Sequence, residues 1–106
     1  MTEQFGLKET TIQSLQKVLE SYPQVDKATL YGSRAMGRNK IGSDIDLTLH
    51  GGQSLNLSVL FKIMDDIDEL LLPYTIDLSI YHTIHDYELL DHINRVGVVF
   101  YERNTQ

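Results

Sequence analysis

The chain has 106 residues, 42% of them hydrophobic and 23% charged, which bounds it to one soluble globular domain, 1–106, with no room for a second substrate-binding lobe. A net charge of −6 argues against direct nucleic-acid binding, which needs a basic surface, and the absence of cysteine excludes disulfides and thiolate zinc sites. No run approaches the ~20 apolar residues of a membrane span, and Met1-Thr2-Glu3-Gln4 lacks a basic, apolar signal, so the expected location is cytoplasmic with no membrane contact.

The first expected element is a helix over Lys8 to Ser21, where Ile12, Leu15, Val18 and Leu19 recur at helical spacing and Pro23 ends the pattern. A short strand follows at Lys27 to Tyr31, then a motif helix at Ser33 to Met36, and a second strand at Asp44 to Leu49. Gly51-Gly52 turns the chain, and Ser54 is placed to cap the longest helix, about 55 to 71. Leu60, Ile63, Met64, Ile67, Leu70 and Leu71 form its stripe, with Asp65, Asp66, Asp68 and Glu69 mostly on the solvated side. A third strand at Thr75 to Ile80, a helix from Asp86 to Arg95 ending at Gly97, and a strand at Val98 to Tyr101 complete the chain. Strands and helices interleave, so the expected class is α/β (α+β), a small mixed sheet flanked by helices.

Two segments carry chemistry. In Gly32-Ser33-Arg34-Ala35-Met36-Gly37, a glycine breaks the strand where the backbone must turn, and Ser33 follows with free N–H groups suited to phosphate. In Ser43-Asp44-Ile45-Asp46, two carboxylates lie two residues apart in a strand and project from one face. Such a pair repels by roughly 4 kcal/mol at an effective dielectric near 20, a strain that divalent cations relieve. Asp77, flanked by Ile76 and Leu78, points to the face opposite theirs. Arg34, Arg38 and Lys40 surround the first segment and offer charge to offset a triphosphate. His82, His85 and His92 are too dispersed to read as a zinc site, and the six tyrosines read as packing residues.

Gly-Ser, then Asp-X-Asp, then a third Asp on a later strand resembles the nucleotidyltransferase superfamily that includes DNA polymerase β, and within it the minimal nucleotidyltransferase group. Gly32 and Ser33 match the first element, Asp44 and Asp46 the second, and Asp77 the third, while Arg34 and Ser43 also look like the minimal group. Met36 departs from the pattern, standing where many members carry arginine. The resemblance implies a polymerase β-like fold, two Mg²⁺ ions held by Asp44, Asp46 and Asp77, and ATP gripped by Gly32, Ser33, Arg34 and Ser43. It further implies AMP transfer to a protein hydroxyl with release of pyrophosphate. Proteins of this group resemble antitoxins encoded beside a HEPN-type RNase toxin, whose tyrosine they adenylylate. Homo- or hetero-oligomers are both compatible with this reading. The alternatives are a non-catalytic protein-binding half of a two-chain complex, or a transferase acting on a small hydroxylated molecule.

Overall fold

The computed structural model describes residues 3–104, so the ends of the expected 1–106 domain, Met1-Thr2 among them, lie outside the described residues. In chain order the elements are β1 (Glu3–Gln4), β2 (Leu7–Lys8), α1 (Glu9–Glu20), β3 (Lys27–Tyr31), β4 (Ile45–His50), α2 (Leu57–Asp68), β5 (Ile76–Ile80), a 3-10 turn (Tyr81–Thr83), α3 (Tyr87–Val96) and β6 (Val98–Glu102). The last four strands make one mixed sheet in the order β5-β4-β3-β6. β4 and β5 run parallel, the other pairs antiparallel, and α2 is the crossover that a parallel pair requires.

Strand alternation divides the sheet into two unlike faces. Ala28, Leu30, Ile45, Leu47, Leu49 and Ile80 point one way and pack with Ile12, Leu15 and Leu19 of α1 and Leu60, Ile63 and Ile67 of α2 into the core. The other face carries Thr29, Tyr31, Asp46, Thr48, Asp77 and Ser79, and α3 lies over its β3 side. Gly97 makes that approach close: a side chain there would run into the Ile93 carbonyl and the Thr29 methyl. β6 bulges at Phe100, and the freed Phe100 carbonyl accepts from Gln16 Nε2 at 2.9 Å. Arg103 then donates to the carbonyls of Glu20, Tyr22 and Val25, tying the chain end to the end of α1. No helix among the described residues is long and apolar enough to cross a membrane.

The structure corrects several expected boundaries. The helix expected at Ser33 to Met36 is a wound turn: Met36 N–H reaches Gly32 O, Gly37 N–H reaches Arg34 O and Arg38 N–H reaches Ser33 O, at 3.2, 3.3 and 2.8 Å. The winding ends there, because the φ of +71° at Gly37 leaves the helical region. α2 begins later than expected because Asn56, not Ser54, accepts from the Val59 N–H at 3.1 Å. It ends at Asp68 rather than 71, since Leu71 adopts a left-handed φ of +54°. Asp44 precedes β4 rather than opening it. The β1–β2 hairpin was not expected; it turns on Phe5 and Gly6, at φ +61° and +72°.

Candidate active site

Ile45 and Leu47 are both fully buried, so the pleat turns Asp46 between them onto the polar face. There Asp46 stands in register with Tyr31 of β3 on one side and Asp77 of β5 on the other. With strands about 4.8 Å apart, the three side chains form a row across the sheet. Asp44 lies one step before the strand, where the Ile45 N–H donates to the Thr75 carbonyl at 2.9 Å and fixes the entry. Asp46 is half-buried, while Asp44 and Asp77 are exposed.

The electrostatics are one-sided. Burial, then Asp77, then Asp44 push the Asp46 carboxyl above its ordinary value, with His92 and Arg34 pulling the other way. Tyr31 is pushed up as well, mainly by burial, with Asp77 and Asp46 adding to it. Among the described residues the one salt bridge is Arg95–Asp91 on α3, so no lysine or arginine neutralises Asp44, Asp46 or Asp77 directly.

Such an uncompensated set suits a divalent cation, although no three acidic or histidine side chains among the described residues close around one point. Mg²⁺ fits that openness, because it commonly takes one or two carboxylates, keeps its waters and draws its remaining ligands from substrate phosphates.

Gly32 ends the row and touches it. Its φ of +78° is left-handed, and a Cβ at this position would overlap Asp46 Oδ2. In the turn that follows, the N–H groups of Ser33, Arg34 and Ala35 have no protein acceptor among the described residues. Successive amides without a protein acceptor are the raw material of an anion-binding turn, and they are present here even without the expected helix. The Gly32 N–H is different: it donates to His92 Nε2 at 3.1 Å. His92 also meets the Tyr31 ring edge-on, with centroids 6.1 Å apart. Sequence reasoning weighed His92 only as a zinc ligand, and no local pattern joins it to a glycine sixty residues away.

Arg34 is placed unlike a phosphate contact. It is 3% exposed, donates to Ser43 O through Nε and Nη2 at 3.2 and 2.7 Å, and to Phe5 O through Nη1 at 2.8 Å. Its guanidinium lies over the Tyr74 ring, 5.1 Å from the centroid. Ser43 is likewise engaged, its hydroxyl accepting from the Lys40 N–H at 2.8 Å. Both residues brace the loop that delivers Asp44, and Arg38 and Lys40 remain exposed beside it.

The family model for polymerase beta, nucleotidyltransferase, matches residues 13–106. The chain belongs to the polymerase β nucleotidyltransferase family. Among solved structures it is similar to a toxin–antitoxin structure with AMP-PNP, at a TM-score of 0.68 and 19% identity over 92% of this chain and 76% of that one. A structure of the tri-AMPylated Shewanella oneidensis HEPN toxin in complex with MNT antitoxin matches at 0.66 and 16%, over 90% and 72%. The toxin–antitoxin MntA–HepT matches at 0.66 and 15%, over 91% and 74%. At these identities the likeness is one of fold. No curated protein matches the chain significantly. The nucleotidyltransferase fold accounts for the architecture: a mixed sheet whose polar face presents carboxylates beside a glycine turn.

Proposed function

We infer that the chain transfers AMP from ATP to a hydroxyl of a protein partner, releasing pyrophosphate. The observation that carries this reading is the row Tyr31, Asp46, Asp77 across three strands, with the Gly32 turn closed against Asp46. Asp44 and Asp46 would hold Mg²⁺ against the triphosphate, and Asp77 would complete a second Mg²⁺ site. When bound, the cations supply charge neutralisation at the attacking and leaving oxygens. The free N–H groups after Gly32, with the Ser33 hydroxyl, hold the terminal phosphates. Arg34 and Ser43 serve the nucleotide indirectly, by fixing the loop that carries Asp44. Asp77, exposed at the end of the row, is the group placed to accept a proton from an acceptor hydroxyl.

The acceptor is inferred from charge and from the company the similar folds keep. A net charge of −6 leaves little basic surface with which to hold RNA. A protein acceptor fits better, since the similar folds occur in toxin–antitoxin structures, one of them with an AMPylated HEPN toxin. A HEPN-type toxin is therefore the proposed partner, the chain its antitoxin in the cytoplasm, and Tyr87, 85% exposed at the start of α3, a contact for it.

The test is intact-mass spectrometry after incubating the chain with Mg²⁺-ATP and a HEPN-type protein encoded beside it. AMP-sized additions to a tyrosine of the partner are expected, and none with Asp44→Ala/Asp46→Ala, which should still bind. Modification of a small alcohol or an RNA end, with none on the partner, would sink the antitoxin reading.

A further inference from the structure

One contact at the site belongs to no part of the expected motif. His92 sits on α3, immediately before Ile93, which is 3% exposed and anchors the helix to the sheet. α3 is held at both ends. The Asp86 carboxylate accepts from the Glu88 and Leu89 N–H groups at 3.0 and 3.3 Å, and Gly97 N–H donates to Ile93 O at 2.8 Å. The helix is thus well terminated, buried Ile93 seats it on the sheet, and the side chain it carries to the sheet end is an imidazole. Its Nε2 accepts the Gly32 N–H, so this nitrogen is unprotonated and any ring proton sits on Nδ1.

The bond has a geometric consequence for the turn. Gly32 has two constraints at once: its Cα rests against the Asp46 carboxylate, and its N–H is drawn toward α3. Together they set the orientation of the peptide from which the next three amides follow. Without an acceptor at position 92, the Gly32 amide would be free to turn toward an anion or water, and the peptide that leads into the Ser33, Arg34 and Ala35 turn would lose one of its two restraints.

We propose that His92 is a positioning residue for nucleotide binding: it holds the Gly32 N–H away from the phosphates so that the following three amides face them. This role rests on the nucleotide reading given above. It is a matter of accepting one hydrogen bond, not of filling space. The variants that separate the two are His92→Leu, which keeps apolar bulk and cannot accept, and His92→Gln, whose Oε1 can.

Amide hydrogen exchange at Gly32 and calorimetric binding of AMP-PNP with Mg²⁺ are read on the full chain. Wild type and His92→Gln should protect the Gly32 amide, and His92→Leu should not. His92→Leu should bind AMP-PNP about tenfold more weakly, the worth of one modest hydrogen bond, and His92→Gln within about threefold of wild type. In transfer assays the loss should appear in KM for ATP, with kcat little changed. A His92→Leu protein with wild-type Gly32 protection and affinity would overturn the proposal, as would a His92→Gln protein as weak as His92→Leu. Wild type that protects Gly32 yet binds no AMP-PNP sinks the nucleotide reading itself, and the positioning role with it.

Discussion

The two faces of the central sheet are built from alternate residues of the same strands, and they obey opposite rules. On β4, Ile45, Leu47 and Leu49 are fully buried against α1 and α2, while Asp46 between them faces a second carboxylate in register on β5. The apolar face gains from every contact. The polar face gathers negative charge with no salt bridge to it among the described residues and is the less stable for it. The comparison teaches that the rigidity of the one supports the strain of the other. A carboxylate can be held against repulsion only where its neighbours in sequence are locked in a core.

That contrast is broken most sharply by substituting adjacent residues. Asp46→Asn should lower AMP transfer by about 10³-fold or more, equivalent to about 4 kcal/mol, while leaving the metal-free protein at least as stable as wild type. Leu47→Ala should do the reverse, costing about 3 kcal/mol of unfolding free energy with near-normal activity per folded molecule. Urea denaturation and transfer of labelled AMP on both variants would read this out.

Arg34 tests the boundary between the faces. Buried under Tyr74 with three bonds to carbonyls, it should behave as structure. Arg34→Met should cost about 3 kcal/mol of stability because two buried carbonyls lose charged donors. Arg34→Lys should not restore it, since an ammonium cannot reproduce the fork. A stable Arg34→Met protein with weakened ATP binding would return Arg34 to the phosphate role.

The smallest expected effect is electrostatic. The Asp46 pKa is raised on folding, so its stabilising share is fully present below the ordinary carboxyl value near 3.8 and is lost as pH rises through the raised one. Metal-free wild type should therefore lose stability relative to Asp46→Asn as pH climbs above about 4. Mg²⁺ should shrink the difference. Paired urea melts across pH would measure it.

Much of this division was legible in the sequence, because a pleat writes itself as alternation. Ile45-Asp46-Leu47 and Ile76-Asp77-Leu78 announce both faces at once, and Asp86 and Gly97 bracket α3 by cap chemistry. Periodicity misled where an apolar stripe outlived its helix: Leu70 and Leu71 continue the pattern of α2, but the left-handed turn at Leu71 is a backbone event with no sequence mark of its own. The hairpin at Phe5-Gly6 lacked the usual asparagine or aspartate signal. The surroundings of Arg34 and His92 were not legible for a different reason. Their partners, Phe5 O and the Gly32 N–H, lie 29 and 60 residues away and become neighbours only through the fold.

The central claim is that the polar face binds a nucleotide through its carboxylates and a divalent cation. Calorimetric titration with AMP-PNP, in Mg²⁺ and in EDTA, on wild type, Asp46→Asn and Asp77→Asn tests it most directly. Micromolar binding by wild type in Mg²⁺ is expected, lost in EDTA and weakened at least tenfold in both variants. Equal binding by all three proteins, or binding indifferent to EDTA, would contradict the account.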